Sequence, residues 1–372
     1  MIRQIFIVAA FAALVPAAIS APAATPAPAA TPAAPTAASA RTAELSPALK
    51  KAQELAEKKD FDGAMKILRT EAEKGNAQAA NALGEMYFFG RGGAKDSAVE
   101  AVKWFQKAAD AALPEGMFNL SSVLARGAEG VPKSETKAKF YTQKAAEAGH
   151  PEAQVRMGIA AENAAADKPG TPDYNGARIW FEKAAAQGNP TGLLALMRFA
   201  DTGLCAPPDT AKGTDFCRRA AVAGSPVAMN EMGVRYQRGT GLPQDEVAAV
   251  GWFALAAQYG LPAALVNLGF CYETGKGAMR DYDLAGRNYA LGAKQNFGMA
   301  EFRLGMLLEQ GLGAAANPAH AHVLYTRAAA HGIEDAKKKA AELKAKLTPA
   351  QIEEADKLLK ENGPSPKSGS NP

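Results

Sequence analysis

Three cysteines and four histidines are the residues of this 372-residue chain best suited to chemistry, and their spacing argues against most of it. His320 and His322 stand two apart in a stretch of helical periodicity, so they do not share a face. His150 and His331 fall beside predicted helix ends. No set of His, Cys and carboxylate residues has the spacing of a zinc site. There is no Gly-x-Ser-x-Gly elbow, no phosphate-binding glycine loop and no Ser-x-x-Lys pair. The chain is therefore expected to have no catalytic, metal or cofactor residues and not to be an enzyme. Cys205, just past Gly203, and Cys217, near the start of a predicted helix, are the candidate disulfide partners if the compartment is oxidising. Cys271, close after Leu268, reads as a small buried core residue.

The elements that carry these residues are set by a repeat. Ala108-Ala109, Ala145-Ala146, Ala184-Ala185, Ala220-Ala221, Ala256-Ala257, Gly292-Ala293 and Ala328-Ala329 recur every 36 to 39 residues. Self-similarity at such a period marks a stacked array, whose core is built from neighbouring copies and whose function lies on an extended surface. Eleven residues before each pair stand Ser97, Ser134, Asp173, Asp209, Asp245, Asp281 and Asn317, all good helix N-caps. Four residues after the first member of each pair stand Ala112, Gly149, Gly188, Gly224, Gly260, Asn296 and Gly332, mostly of the types a left-handed helix stop prefers. Pro114, Pro151, Pro190, Pro226 and Pro262 then open the next helix.

That next helix carries a second phrase, Leu83-Gly84, Met157-Gly158, Met232-Gly233, Leu268-Gly269 and Leu304-Gly305, with Leu120-Ser121 and Leu196-Met197 as weaker copies. A helix-interior glycine is unfavourable, so its recurrence predicts a close approach of two helix backbones at Gly84, Gly158, Gly233, Gly269 and Gly305. In the other helix, Trp104, Tyr141, Trp180, Phe216, Trp252 and Leu324 lie four before each pair and predict a buried aromatic stripe, which Asn288 interrupts in the sixth copy. The step from each Ala-Ala pair to the next Leu-Gly position is a constant thirteen residues, so all length variation falls in the loop between the two helices of a copy. The longest loop, around Ala164, Asp167, Lys168, Pro169 and Pro172, and the neighbouring Pro207 and Pro208 are the candidate partner-binding edge.

Outside the copies, residues 46–75 and 334–362 read as divergent capping helix pairs, with a capping box at Thr348 to Gln351. The seven copies span 77–332, and the solenoid as a whole 46–362. Residues 1–20 have one charge at Arg3, an apolar core and small residues near Ser20, the pattern of a secretory signal peptide. Residues 21–45 form an Ala/Pro-rich linker, and 363–372 a Pro/Ser/Gly-rich tail, both expected to be disordered. These features predict a bacterial protein, periplasmic or secreted, with no membrane insertion after signal cleavage. A net charge of +4 without basic runs interleaved with aromatic residues argues against nucleic-acid binding. Lys337-Lys338-Lys339 reads as a solvated helix face.

The combination of Leu-Gly-x-x-Tyr, a glycine turn, a polar cap and Trp-Phe-x-x-Ala-Ala-x-x-Gly resembles the Sel1-like repeat, a relative of the tetratricopeptide repeat. The resemblance covers residues 60–332 and implies an all-α, right-handed α-solenoid of stacked antiparallel helix pairs. Some exported relatives staple the two helices of a repeat with cysteines, which here only Cys205 and Cys217 could do. The resemblance also implies an adaptor for envelope machinery, signalling or host interaction. The expectation is thus a monomeric, non-enzymatic scaffold that binds one or more envelope proteins through its concave helix face and loop edge. Two alternatives stand beside it. One is a cell-wall or β-lactam-directed enzyme, weakened by the absence of a dense cysteine pattern and a serine nucleophile. The other is an envelope glycan-binding module, for which Phe88 and Phe89 are the aromatic pair to inspect.

Overall fold

The computed structural model describes residues 46–91, 97–163 and 172–361. The expected signal peptide (1–20) and linker (21–45), the tail (363–372) and the loop positions Ala164, Asp167, Lys168 and Pro169 lie outside the described residues.

Eighteen α-helices follow one another among the described residues. An N-terminal pair, α1 (Pro47–Glu57) and α2 (Phe61–Glu73), precedes seven repeated pairs. These are α3 (Ala77–Phe88) with α4 (Ala98–Asp110), α5 (Pro114–Arg126) with α6 (Glu135–Glu147), and α7 (Pro151–Asn163) with α8 (Tyr174–Ala186). Next come α9 (Pro190–Thr202) with α10 (Thr210–Val222) and α11 (Pro226–Arg238) with α12 (Glu246–Gln258). The last two are α13 (Pro262–Thr274) with α14 (Tyr282–Ala293) and α15 (Gly298–Gln310) with α16 (Pro318–Ala330). Helices α17 (Glu334–Lys344) and α18 (Pro349–Glu361) close the stack. Each helix packs chiefly on its neighbours in the chain, which makes an all-α solenoid of helix pairs.

Local chemistry explains where each helix begins and ends. The side chains of Ser97, Asp173, Asp209, Asp245, Asp281 and Asn317 each accept a hydrogen bond from the backbone N–H three residues on, whereas Ser134 makes no such bond. The same seven residues also donate their own backbone N–H to the first helix of the pair, at the carbonyls of Tyr87, Leu124, Ala161, Ala200, Tyr236, Tyr272 and Leu308. Each of these acceptors lies three residues after the Leu-Gly glycine or its equivalent. One residue thus starts the second helix and ties it to the first. At the far end Gly149, Gly188, Gly224, Gly260 and Gly332 have positive φ, and Ala112 and Asn296 adopt φ 58 without being glycine.

Ala108, Ala145, Ala184, Ala220, Ala256 and Ala328 are fully buried, as are Ala101, Ala177, Ala249, Ala285 and Ala321 seven residues earlier. The aromatic core sits one position away from the expected stripe. Trp104 and Leu324 are buried as expected, but Tyr141, Trp180, Phe216 and Trp252 are only part-buried. The fully buried rings are Phe181, Phe253, Tyr289 and Tyr325, each the next residue in the chain, with Phe105 nearly so. These inner rings account for the recurring glycine. A Cβ placed on Gly84, Gly158, Gly233, Gly269 or Gly305 would stand 2.5 to 2.8 Å from a ring carbon of Phe105, Phe181, Phe253, Tyr289 or Tyr325 respectively. The close approach is therefore ring against backbone rather than backbone against backbone. The pair varies together: where the glycine becomes Met197, the ring becomes Cys217, which is fully buried in the same cluster.

Candidate interaction surface

The first helices of successive repeats touch directly, α3 on α5 and α13 on α15, and a polar ladder runs across them. Asn119 Nδ2 donates to Asn81 Oδ1 at 2.9 Å and to Glu85 Oε1 at 3.2 Å. Asn267 does the same to Asn230 at 2.9 Å. Burial raises the Glu85 carboxyl above its ordinary value, against the lowering effect of the bonds from Asn81 and Asn119.

A carboxylate near the end of a first helix recurs four residues after the glycine position: Glu162, Asp201, Glu273 and Glu309. Each pairs with a cation two helices further along the chain, namely Arg198, Arg235, Arg303 and Lys339. Lys339 is thus a rung of the ladder, while Lys337 and Lys338 are exposed. Two rungs also hold the inner tyrosines, because Tyr289 donates to Glu273 at 2.5 Å and Tyr325 to Glu309 at 2.7 Å. Burial pushes both phenols up, and the neighbouring carboxylates push them further, so they stay protonated donors. Burial alone would raise Glu309, but the bonds from Tyr325 and Lys339 outweigh it and hold the carboxyl below its ordinary value.

The deepest rung is Arg235, only 2% exposed. It bonds to Asp201, donates to Thr214 Oγ1 at 2.9 Å and has Glu231 at 3.3 Å from Nε. Thr214 passes the contact on to the Thr240 carbonyl at 3.0 Å.

The loop of the fourth repeat is where the edge opens. In repeats five to seven the inter-helix loop reads Gly239-Thr240-Gly241, Gly275-Lys276-Gly277 and Gly311-Leu312-Gly313. A Cβ on the second glycine would meet the Thr210, Glu246 or Tyr282 carbonyl at 2.0 to 2.4 Å, so the loop lies flat on the second helix of the preceding repeat. The fourth repeat has Gly203-Leu204-Cys205, with a side chain at the position where the others have none. Cys205 Sγ lies 3.3 Å from the Tyr174 carbonyl, the equivalent of those three acceptors. Beside it is a groove of about 300 Å³ floored by Leu196, Phe199 and Phe216 and edged by Cys205, Pro207 and Lys212. An Arg178–Glu182 ion pair at 2.6 Å stands on its rim. Pro172 lies at the start of the same repeat boundary, just before Asp173 and Tyr174, and Pro208 follows Pro207.

The candidate disulfide is not formed. Cys205 faces Tyr174 on α8, whereas Cys217 is buried in α10 and donates towards the Ala228 carbonyl at 3.4 Å. The two thiols point to different neighbours because Cys217 fills the inner-ring position of its repeat. Burial pushes the Cys217 thiol up to about 12 and the Cys271 thiol up to about 11. Phe88 and Phe89 meet edge to face at 5.2 Å and are both part-buried, which is not the flat exposed platform a sugar ring stacks on. Among the described residues no group of three or more His, Cys, Asp or Glu side chains could hold a metal ion, and no helix is long and apolar enough to cross a membrane.

Reasoning from the sequence missed the ladder and the Gly-x-Gly loop. The loop was readable, since Gly239-x-Gly241, Gly275-x-Gly277 and Gly311-x-Gly313 recur in register. The ladder was not, because its cations occupy different positions from one repeat to the next.

Comparison with known proteins places this architecture. The Sel1 repeat profile matches residues 77–113, 114–150, 151–189, 226–260, 262–297 and 298–333, more than half of the chain. It omits the fourth pair, the one in which glycine and aromatic ring are replaced by Met197 and Cys217. The crystal structure of c5321, a protective antigen of uropathogenic Escherichia coli with an SLR fold, superposes with a TM-score of 0.69 at 27% identity, covering 81% of this chain and 64% of that one. A Sel1 repeat protein from Oxalobacter formigenes gives a TM-score of 0.60 at 27% identity, covering 82% of this chain and 88% of that one. A segment of 67 residues is 40% identical to HRD3A, an ERAD-associated E3 ubiquitin-protein ligase component of Arabidopsis thaliana. That match spans 18% of this chain and a tenth of the plant protein. Sel1 repeat proteins generally mediate protein–protein interaction as non-enzymatic scaffolds. By its repeats and by the fold they build, the chain belongs to the Sel1 repeat family.

Proposed function

We propose that this chain is an exported, non-enzymatic scaffold of the bacterial cell envelope that binds a partner protein along its first-helix face and its inter-helix loop edge. The observation that carries the reading is the groove beside Cys205. It has an apolar floor and a charged rim, and it opens at the one loop of repeats four to seven that lacks the second glycine. An apolar centre with a polar rim is what a side-chain anchor from another protein requires. The N-terminal pattern of one arginine, an apolar run and small residues supports export, and the Ala/Pro stretch supports a tether between the export signal and the array.

A loop exchange tests it. Replacing Leu204 to Pro208 by the sequence of Thr240 to Gln244 keeps the loop length and restores the second glycine. The exchanged protein should keep its helicity and lose a stoichiometric partner recovered from envelope extract. Unchanged partner recovery contradicts the groove as the binding site, and recovery of no protein partner by the parent chain contradicts the scaffold.

A further inference from the structure

The seventh repeat has an unfilled aromatic slot. In most repeats the second helix carries a part-buried ring four residues before the Ala-Ala pair, and that ring reaches back onto the preceding repeat. Trp180, for example, packs against the buried cluster of Phe118, Ala145, Ala146 and Ala153, as Met157 does. A cation three residues on covers the ring. Lys107 Nζ is 4.2 Å from the Trp104 ring centre, Lys183 Nζ is 4.1 Å from that of Trp180, and Arg219 is 5.6 Å from that of Phe216. In repeat seven the ring position is Leu324 and the cation position is Arg327. Beside Leu324 there is a groove of about 450 Å³. Its lining includes Ala293 and Leu304, the counterparts of Ala146 and Met157 beside Trp180, together with Ala290 and Leu324, and Arg327 stands at its side.

We propose that this groove receives an aromatic side chain, of tryptophan or tyrosine type, from a partner protein, with a carboxylate beside that side chain meeting Lys294. The chain's own repeats show what fits, because the positions of Ala293, Leu304 and Arg327 are those of Ala72, Leu83 and Lys107 around Trp104 in repeat one and of Ala146, Met157 and Lys183 around Trp180 in repeat three. Arg327 already bonds to Asn296 at 2.9 Å and stands 2.7 Å from the buried Glu301, which holds its guanidinium in place without a ring. Lys294 is exposed at the rim and has no carboxylate partner among the described residues. His320 stands on the same rim, facing Glu354 from α18. The sixth repeat does not form a second such slot in the same way: Asn288 turns its amide back to the Leu284 carbonyl at 2.8 Å, and Leu291 replaces the cation. This inference rests on the scaffold reading but uses a different part of the array from the Cys205 groove.

The test uses the full chain and a fluorescein-labelled peptide, Gly-Ser-Trp-Glu-Ser-Gly, against the same peptide with alanine for tryptophan. The parent protein should bind the tryptophan peptide roughly tenfold or more tightly than the alanine peptide. Leu324→Trp fills the slot from within, so it should raise the unfolding temperature and remove the preference between the peptides. Lys294→Glu, at an exposed rim position, should fold normally and weaken tryptophan-peptide binding several-fold; it carries the test if Leu324→Trp does not fold. Equal binding of the two peptides by the parent, an undiminished preference in folded Leu324→Trp, or undiminished tryptophan-peptide binding by Lys294→Glu overturns the slot. Either result leaves the Cys205 groove and the scaffold reading to their own loop-exchange experiment.

Discussion

The ring of Phe253 lies directly over Gly233, so that a Cβ on the glycine would stand 2.5 Å from Phe253 Cε1. This contact joins the two helices of a repeat, and its counterparts at Gly84, Gly158, Gly269 and Gly305 make it the unit of the fold. Gly233→Ala forces the ring off its seat and should destabilise the protein by about 1–3 kcal/mol in denaturant unfolding. Gly251→Ala, in the exposed face of α12 with nothing within 4 Å, should be neutral or stabilising by up to about 1 kcal/mol. Equal effects of the two substitutions would contradict the ring-over-glycine account.

Buried Arg235 joins repeats four and five through Asp201 and Thr214, with Glu231 one turn earlier on its own helix. The guanidinium is buried, while the carboxylates it would leave behind, Asp201 and Glu231, are 24% and 35% exposed and regain part of their hydration when it is removed. Arg235→Ala should therefore destabilise by about 1–3 kcal/mol, and the single-point lysine variant should recover little of it, lacking the planar fork. Chemical denaturation of the three proteins at neutral pH reads the difference.

Glu309 supplies a pH test with a defined sign. Its carboxyl is held below the ordinary carboxylate value in the folded protein by Tyr325 and Lys339, whose bonds outweigh the effect of burial. Such a group contributes stability above its unfolded value, and this is lost as pH falls through the folded one. Tyr325→Phe and Glu309→Gln should each cost about 1–3 kcal/mol at pH 7. The cost of Glu309→Gln should shrink as pH falls through the carboxylate range. A cost that is constant from pH 7 to pH 3 would show that the bond adds no charge-linked stability.

The thiols should count as three. Cys205, Cys217 and Cys271 are all free, so denatured but unreduced protein should react with three equivalents of a thiol reagent. In the folded state part-buried Cys205 should react first, while Cys217 and Cys271 are slowed by burial and by thiols pushed up to about 12 and about 11. A single reactive thiol in the denatured protein would instead mean that Cys205 and Cys217 are joined.

Helix order was legible in the sequence because its punctuation is local. Asp245 as cap, Gly260 as stop and Pro262 as first residue of the next helix each act within one turn of chain, and they recur in register. The inner core was misplaced by one residue for a physical reason. In Trp252-Phe253 both rings are apolar, the helical period cannot separate adjacent positions on a broad buried face, and only the partner glycine decides which ring goes inside. Reading Gly233 together with Phe253 as a size-matched pair would have found it. Cys217 was paired with Cys205 from an expected oxidising compartment and the stapling cysteines of exported relatives, although its register equals that of Phe253 and so marks it as core. The groove beside Cys205 could not be read without the neighbouring repeats, since it exists only by contrast with Gly241, Gly277 and Gly313.

The most direct test of the account places a photoreactive amino acid at Pro207, on the edge of the Cys205 groove, and in a second protein at Val247, which is 69% exposed on α12. Irradiation in cells should give one discrete protein adduct from Pro207 and none of that mass from Val247. The same adduct from both positions, or from Val247 alone, would contradict a partner held at the loop edge.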